Sequence, residues 1–286
     1  MKIAVVGAGR VATALAVGWL AAGHEISVAR HGEGTERRHR DFLPQSPLTD
    51  ADTACARADV VVLGVPDDLI TQVCEEVVAH VPRGARMLHL SGATGLDALA
   101  AAKEVGIGVL SIHPLQTFPT VEAALATVPG VPMAVTAQEE ESYELGERLS
   151  RDAGGEPFRL PDEAKPLYHA AAVFASNYLI AVMAQAEELF AAAGLQEPLT
   201  SFMPLARASI DNVELLGPAN ALTGPVVRGD GRTVRRNLEA LAVDAPEAVD
   251  AYVSLARMLL GMAWRTGRID AEARAGVEEV LSQWNG

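Results

Sequence analysis

The chain has 286 residues and a formal net charge of -14 at neutral pH, a length that suits one large domain or two ordinary ones. Hydrophobic residues make up 49% and charged residues 21% of the chain, which is typical of a globular protein. The excess of carboxylates argues against nucleic acid and against an anionic membrane surface as binding partners.

The two cysteines, Cys55 and Cys74, are too few for a disulfide scaffold and fit a reducing cytoplasm. Neither belongs to a cluster with metal-ligand spacing, so no metal is expected. The most apolar stretch, residues 170–184, is too short to span a membrane and contains Ser176 and Asn177. We therefore expect a cytoplasmic protein without a membrane-spanning segment.

Predicted strands and helices alternate over the first 160 residues. Short apolar runs predict strands at 2–6, 25–29, 59–63, 86–90, 108–112, 132–136 and 156–160. Helical patterns occur between them at 11–22, 68–80, 95–104 and 139–153. Because strands that are buried on both faces read as continuous apolar runs, this alternation indicates a parallel sheet covered by helices on both sides.

Strand signals almost disappear after Pro161, and helices are predicted at 166–193, 199–216, 244–264 and 271–284. Asp244 and Asp270 are the predicted N-caps of the last two helices. We place the domain boundary near Pro161 to Lys165, where the strand signals end. The fold class predicted is α/β, with an N-terminal dinucleotide-binding domain of the Rossmann type at 1–161 and an all-α C-terminal domain at 162–286.

The segment from Gly7 to Ala12 is a G-x-G-x-x-A element that follows a predicted strand and opens a predicted helix. Gly7 allows the tight turn, Gly9 lets a pyrophosphate approach the backbone, and Ala12 lets helix and strand pack closely. The anion would lie at the positive end of the helix dipole, beside Arg10 and Val11. A glycine turn without a ligand is the alternative.

The residue at the end of the second strand distinguishes NADP from NAD. An acidic residue there would bind the ribose 2′-hydroxyl, whereas this chain has Arg30, whose guanidinium suits a 2′-phosphate. Glu33 is the counter-evidence, and a solvated run of charges is the alternative. We predict NADP in preference to NAD. The loop Val65-Pro66-Asp67 follows the third strand and is expected to border the cofactor.

Polar side chains also follow the fourth and fifth predicted strands. Ser91 comes after the strand at 86–90, and His113 and Gln116 come after the strand at 108–112. Because these strand ends meet at one edge of the sheet, we expect all three to face the cofactor. His113 could donate a proton to a carbonyl or imine. The alternative is that His113 only caps its strand.

Two further groups of polar residues occur in the helical half. His169 and Ser176 share one face of a predicted apolar helix with Asn177 beside them, either as a substrate site or as a polar network between helices or subunits. Lys165 precedes Pro166 and is biased away from the helix. Between later helices, Thr223 and Arg228 lie in a loop where the guanidinium could bind a substrate carboxylate or pair with Asp230.

Five segments carry a family resemblance: GAGRVATAL, HLSGATG, IHPLQTF, YHAAAVFASNYL and NALTGPVVRGD. They are similar to Rossmann-like proteins that have a C-terminal helical domain of unknown function, within the 6-phosphogluconate dehydrogenase C-terminal-like superfamily. Pyrroline-5-carboxylate reductases, prephenate dehydrogenases and deazaflavin-dependent NADP oxidoreductases are neighbouring families. The resemblance covers nearly the whole chain and implies two domains, dinucleotide binding and a homodimer formed through the helical domain.

The resemblance also bears on the catalytic residues. The β-hydroxyacid dehydrogenases place a lysine and an asparagine one helical turn apart. Here His169 and Val173 are the nearest match, with Asn177 one turn later, so histidine stands in for lysine. The dipeptide His113-Pro114 is similar to the catalytic histidine loop of prephenate dehydrogenases and implies an acid/base role for His113.

Taken together, the sequence predicts an NADP-dependent oxidoreductase that transfers hydride between nicotinamide and a small keto, imino or hydroxy/amino acid at the domain junction. His113, His169 and Asn177 are the catalytic candidates, and Gln116, Ser176, Thr223 and Arg228 are the candidates for binding the substrate. A non-catalytic NADP-binding sensor or scaffold and a deazaflavin-dependent NADP oxidoreductase remain alternatives.

Overall fold

The computed structural model describes residues 1–284, which fall into two compact units that divide after Asn177. The first unit is built on an eight-stranded sheet with the order β3-β2-β1-β4-β5-β6-β7-β8. Its strands are β1 (Lys2–Val6), β2 (Glu25–Ala29), β3 (Leu48–Thr49), β4 (Val60–Leu63), β5 (Arg86–His89), β6 (Gly108–Pro114), β7 (Pro132–Ala137) and β8 (Glu156–Arg159).

Helices pack on both faces of this sheet. The helices of this unit are α1 (Arg10–Ala21), α2 (Gly32–Phe42), α3 (Ala51–Cys55), α4 (Ile70–Val77), α5 (Ala100–Glu104), α6 (Val121–Thr127), α7 (Glu140–Asp152) and α8 (Lys165–Ala175). Residues from α1, α6 and α7 form one apolar core with Ile3 and Val5. Residues from α3, α4 and α5 form the other with Ala4 and Val61. The predicted Rossmann-type α/β architecture is thereby confirmed.

The sheet changes direction at its far edge. Strands β1 to β6 pair in parallel, whereas β7 runs antiparallel to β6, with His113 opposite Ala134. Strand β8 then pairs in parallel with β7. The carboxyl ends of β1, β4, β5 and β6 therefore lie at one edge, where the polar segments of the sequence emerge.

The second unit is helical in its described part. Its helices are α9 (Asn177–Ala192), α10 (Pro198–Leu216), α11 (Pro218–Ala221), α12 (Gly231–Asp244), α13 (Val249–Arg265) and α14 (Ala271–Ser282). Leu238, Leu260 and Val277 are buried in its apolar core. The predicted N-cap at Asp270 is confirmed, because its carboxylate accepts a hydrogen bond from the Ala273 N–H at 2.8 Å.

Three predictions about the helices were wrong. Asp244 does not cap a helix N-terminus but is the last residue of α12. The sequence did not predict the helix at 231–244, which is why Asp244 was assigned to the next one. The predicted helix 166–193 is two helices, because the backbone at Ser176 (φ -123°, ψ -70°) leaves the helical region. Lys165 is the first residue of α8 despite preceding Pro166, because proline is well accommodated in a first helical turn.

The stretch Asp162–Ala192, which includes α8 and α9, is long and apolar enough to cross a membrane by length and composition alone. A single stretch of this kind is weak evidence for a span, and Ser176 interrupts its backbone. The absence of a membrane-spanning segment stays a prediction. The domain boundary near residue 161 also stays a prediction. The compact units divide later, after Asn177, so that α8 belongs to the sheet-containing unit.

Candidate functional site

The glycine turn between β1 and α1 is packed against the loop that follows β4. Gly7 has a φ of 82°, in the left-handed region that favours glycine. A Cβ on Gly7 would overlap the Val65 side chain, and one on Gly64 would overlap the Gly7 carbonyl and the Ala12 side chain. The two turns therefore touch closely, in the manner that the G-x-G-x-x-A pattern requires.

The amino end of α1 is open to a ligand. Gly9 is the N-cap residue, no side chain caps the helix, and its first turn contains no acidic residue. The first N–H groups of a helix need partners and attract anions. A pyrophosphate group therefore fits this turn, and Arg10, the first residue of the helix, is exposed beside it.

A cavity of about 390 Å³ lies directly at this turn. Its lining brings together most of the residues predicted to bind the cofactor: Gly9, Arg10, Val11, Val65, Pro66, Asp67 and Ser91, with Ala12, Gly64, Leu90 and Phe118. The carboxyl ends of three strands thus supply one continuous surface. The roles of these residues stay predictions, while their proximity is a property of the fold.

The basic residues after β2 lie near the same turn. Arg30 is exposed and is 3.7 Å from Glu36 on α2. Arg38 donates a hydrogen bond from Nε to the carbonyl of Ala8, inside the glycine turn. Burial lowers the pKa of Arg38, and the charges of Arg37 and Arg10 lower it further. Arg38 therefore contacts the glycine turn directly, and Arg10 and Arg37 are close enough to influence its charge.

A hydrogen-bond network connects the cavity to the interior of the sheet. The Ser91 hydroxyl donates to the Asp67 carboxylate at 2.6 Å and accepts from the Thr94 backbone N–H at 2.9 Å. The Ser91 carbonyl accepts from the Lys165 ammonium at 2.9 Å. The loop after β4, the loop after β5 and the first turn of α8 are thereby held in one arrangement.

Lys165 is the most unusual side chain of the site, since it is only 1% exposed. Its ammonium donates to the Ser91 carbonyl and, at 2.8 Å, to the Ser111 hydroxyl. Burial lowers the pKa of Lys165 from its usual 10.5 to about 8, although Asp162 and Asp67 oppose the shift. A buried ammonium with a pKa near neutrality is a typical acid or base of an enzyme site.

His113 lies at the end of β6, and its Nδ1 is 2.9 Å from the hydroxyl of Tyr168 on α8. Burial, followed by the charge of Lys165, lowers the pKa of His113 to about 4. Burial raises the pKa of Tyr168 to about 12. Both side chains are therefore neutral at pH 7 and can act as a hydrogen-bonded pair.

His169 follows Tyr168 on α8 and is half-buried, with an Nδ1 atom that is buried without a hydrogen-bond partner among the described residues. Such an atom is costly unless a ligand or water satisfies it. Ser176 lies at the carboxyl end of α8, and Asn177 is the exposed first residue of α9. The expected shared face is interrupted there because the helix breaks at Ser176.

The remaining substrate candidates are outside this network. The side-chain amide oxygen of Gln116 accepts a hydrogen bond from the Thr117 N–H at 2.8 Å on an exposed loop. Thr223 and Arg228 are exposed in the helical unit. Asp230 is bound by Thr233, whose N–H and hydroxyl donate to it at 3.0 and 2.6 Å. Their roles stay predictions.

Three residues of the network were not among the predicted site residues: Lys165, Ser111 and Tyr168. Lysine before proline at the start of an apolar helix was the available signal, since a lysine is rarely fully buried without a function. Ser111 gave no signal, because a serine within a strand is ordinary. The pairing of β5 with β6 brings Ser111 opposite His89, and the Lys165 ammonium then bonds both Ser111 and Ser91.

Comparison with known proteins agrees with this architecture. Residues 1–114 match the Rossmann-like domain family, and residues 131–259 match the domain of unknown function DUF2520. A glycerol-3-phosphate dehydrogenase [NAD(P)+] from Mycobacterium bovis is 33% identical over 127 residues, which are 40% of this chain and 38% of the relative. The chain thus spans little more than a third of the length of that curated relative.

Two solved structures share the fold over most of their length. A candidate NADP oxidoreductase from Bacteroides fragilis has a TM-score of 0.76 at 23% identity, covering 90% of this chain and 96% of that one. An imine reductase from Myxococcus stipitatus in complex with NADP+ has a TM-score of 0.69 at 19% identity, covering 99% of both. The chain joins a Rossmann-like domain to a domain of the DUF2520 family.

Proposed function

We propose that the protein is an NADP-dependent oxidoreductase that transfers hydride between nicotinamide and a small keto, imino or hydroxy/amino acid. One observation carries the proposal: the cavity at the glycine turn is lined by Ser91, whose carbonyl binds the buried Lys165 ammonium. An anion-binding turn and an ionisable group tuned toward neutrality therefore lie within one compact unit. The partly matching dehydrogenases and the reductases of similar fold support this reading.

The chain's own residues fit a dinucleotide. The uncapped end of α1, with Gly9 and Arg10, would hold the pyrophosphate, and Asp67 and Ser91 would border the ribose and nicotinamide side. Arg30 is the proposed partner of a 2′-phosphate, since it is exposed and only loosely paired with Glu36. When bound, the nicotinamide group would donate or accept hydride.

Two groups could move the accompanying proton. Lys165 has a pKa of about 8, so its ammonium is an acid matched to neutral pH. His113 has a pKa of about 4 and is neutral at pH 7. It can still donate one ring N–H while Tyr168 occupies its other nitrogen. We propose Lys165 as the acid and the His113–Tyr168 pair, with His169, as the groups that orient the substrate.

The remaining parts of the proposal concern partners and location. A small-molecule substrate and a cytoplasmic homodimer fit the chain best, without nucleic acid or membrane partners. The dimer would cover apolar side chains that α9 and α10 expose. Thr223 and Arg228 stay candidates for contacts to the substrate carboxylate.

The function is tested by measuring dinucleotide binding by calorimetry and NADPH oxidation with a panel of small keto and imino acids. Binding of NADPH together with turnover on at least one substrate is the expected result. Arg30→Ala should weaken NADPH binding roughly 10- to 100-fold, the effect of one charge-assisted hydrogen bond, and leave NADH binding unchanged. Arg40→Ala, which removes an exposed arginine from the last turn of α2, is the matched control.

Other outcomes discriminate the alternatives. NADPH binding without turnover on any substrate would favour a non-catalytic sensor or scaffold. Reduction of a deazaflavin by NADPH would favour a deazaflavin-dependent NADP oxidoreductase. Absence of heat with either nicotinamide dinucleotide, for folded protein at millimolar ligand, would contradict the proposal as a whole.

A further inference from the structure

Resting on the proposed function, we infer that Phe118 is the residue on which the nicotinamide ring of the dinucleotide stacks. Phe118 lies in the loop between β6 and α6, and it lines the cavity at the glycine turn together with Gly9 and Ser91. Among the described residues that line this cavity, Phe118 is the single aromatic one, and Pro66 and Leu90 add apolar surface. A planar ring that enters the cavity would therefore meet an apolar wall with one aromatic side chain.

The order of the strands decides which half of the dinucleotide meets Phe118. The glycine turn follows β1, whose neighbours in the sheet are β2 on one side and β4 on the other, with β5 and β6 beyond β4. Arg30, the proposed partner of the 2′-phosphate, follows β2, whereas Phe118 follows β6. Since the proposed pyrophosphate site is the turn itself, the two halves of the dinucleotide would extend to opposite sides of β1. The nicotinamide half is then the one on the Phe118 side.

Packing fixes Phe118 in place, although its loop is exposed. The residues on either side of Phe118 are exposed, whereas Phe118 itself is half-buried and packs against the apolar core that contains residues of α1 and α6. Hydrogen bonds hold both ends of the loop. The Leu115 N–H donates to the Pro132 carbonyl at 2.8 Å, and the Thr120 hydroxyl accepts from the Ala123 N–H at 3.1 Å. A side chain held in this way loses little conformational freedom when a ligand binds.

The surroundings of Phe118 suit the two parts of a nicotinamide group. Within residues 1–284, no other aromatic ring stacks on Phe118. A planar heteroaromatic ring gains from stacking on such a side chain beyond the burial of area alone. The carboxamide attached to the nicotinamide ring carries two N–H donors, for which the Asp67 carboxylate in the same cavity is an acceptor. The cavity therefore offers an aromatic surface for the ring and an acceptor for its amide.

Two ligands that share one half test the inference. NADPH contains the nicotinamide ring, whereas adenosine 2′,5′-bisphosphate contains the adenine half with its 2′-phosphate and no nicotinamide. With the full chain, calorimetry should show that Phe118→Leu weakens NADPH binding about 3- to 10-fold, the effect of losing one ring stack. Phe118→Ala should weaken it roughly 10- to 100-fold. Both variants should bind adenosine 2′,5′-bisphosphate as tightly as the wild type does, because that ligand has no ring for Phe118 to contact.

Phe42→Leu is the matched control. Phe42, the last residue of α2, is also half-buried against the same apolar core, but it is not among the described residues that line the cavity. Phe42→Leu should lower the melting temperature about as much as Phe118→Leu does, since each removes one aromatic ring from the edge of that core. It should leave the affinities for both ligands unchanged.

Phe118→Trp gives a readout of the contact itself. An indole that stacks on the cationic pyridinium ring of NADP+ produces a charge-transfer absorption band. This variant should show such a band with NADP+ and none with adenosine 2′,5′-bisphosphate, and the wild type titrated with NADP+ is the baseline. Thermal unfolding identifies any variant that fails to fold, and the other substitutions at Phe118 then decide the inference.

The outcomes separate this inference from the function on which it rests. Three results would overturn the stacking role of Phe118 and leave dinucleotide binding intact: unchanged NADPH affinity in folded Phe118→Leu and Phe118→Ala, an equal loss of affinity for both ligands, or no band from folded Phe118→Trp with NADP+ bound. Failure of the wild type to bind NADPH would instead overturn the proposed function, and the inference with it.

Discussion

Lys165 is 1% exposed, and a buried ammonium is costly unless hydrogen-bond partners satisfy its three N–H groups. Two of them donate to the Ser91 carbonyl and the Ser111 hydroxyl. The same burial that lowers the pKa of Lys165 also prevents His113 from becoming charged near pH 7. We therefore propose the lysine as the acid near neutral pH, whereas the sequence pointed to histidine.

This assignment predicts a pH dependence. Reduction needs the protonated ammonium, so kcat/KM for reduction should fall as the pH rises through about 8, the pKa of Lys165, and the oxidative direction should gain over the same range. This fall of kcat/KM at high pH should disappear in Lys165→Met and persist in the control Lys103→Met, which lies on the last turn of α5. Steady-state rates between pH 6 and 10 measure it, and an unchanged fall in Lys165→Met would refute the assignment.

The lowered pKa of Lys165 also makes the free energy of unfolding depend on pH. The pKa of Lys165 is below its usual 10.5 in the folded chain, at about 8, so the unfolded chain binds more protons between these values. Its contribution to the free energy of unfolding therefore increases as the pH rises from 8 to 10.5. His113, with a pKa lowered from 6.5 to about 4, acts in the same direction between pH 4 and 6.5.

At the scale of elements, the β1–turn–α1 unit is what makes the cavity a candidate ligand site. A Cβ on Gly9 would lie 3.0 Å from the Gly64 carbonyl, and it would project where the helix N–H groups are open. Gly9 has an extended backbone (φ -64°, ψ 177°) that any residue adopts. A side chain there would fit the backbone angles, but it would press against the Gly64 carbonyl beside the helix end.

Gly9→Ala should weaken dinucleotide binding by roughly tenfold or more, the loss of about one charge-assisted hydrogen bond, and the close contact with the Gly64 carbonyl should also lower the melting temperature. Gly84→Ala is the control, because a Cβ there meets nothing within 4 Å. Calorimetry and thermal unfolding measure the two effects. Unchanged affinity in folded Gly9→Ala would show that the pyrophosphate does not bind at this turn.

At the scale of the whole molecule, the helical unit exposes several large apolar side chains on α9 and α10. Ile180 on α9 is 64% exposed, and Leu205 and Leu215 on α10 are 65% and 80% exposed. Exposed apolar side chains that form a contiguous patch mark an interaction site. A second copy of the chain is the occupant we propose, because a net charge of -14 disfavours an anionic membrane surface.

The homodimer is tested by sedimentation equilibrium, which should give twice the chain mass of 30.0 kDa. Leu205→Glu should shift the protein toward the monomer, since it would bury a charge in the interface. Val105→Glu, at the exposed end of α5, should leave the dimer intact. A monomeric wild-type protein at micromolar concentration would contradict this assembly.

The sequence by itself predicted most of the sheet, the glycine turn and most of the residues that line the cavity at that turn, because strand patterns and the G-x-G-x-x-A element are local. It missed α2, whose segment is polar, and the short elements β3 and α3, where few residues carry a periodicity. It also misplaced the start of the helix after Asp244, since an acidic residue followed by proline resembles a cap equally well at the end of another helix.

The tertiary structure decided the chemistry of the candidate site. Ser91, Ser111 and Lys165 are far apart in the chain, and their hydrogen bonds exist only because β5 pairs with β6 and α8 packs on the strand ends. Burial then lowered the pKa of both Lys165 and His113. A pKa depends on the solvent and charges around a group, which are set by residues distant in sequence, so no local pattern could assign the acid.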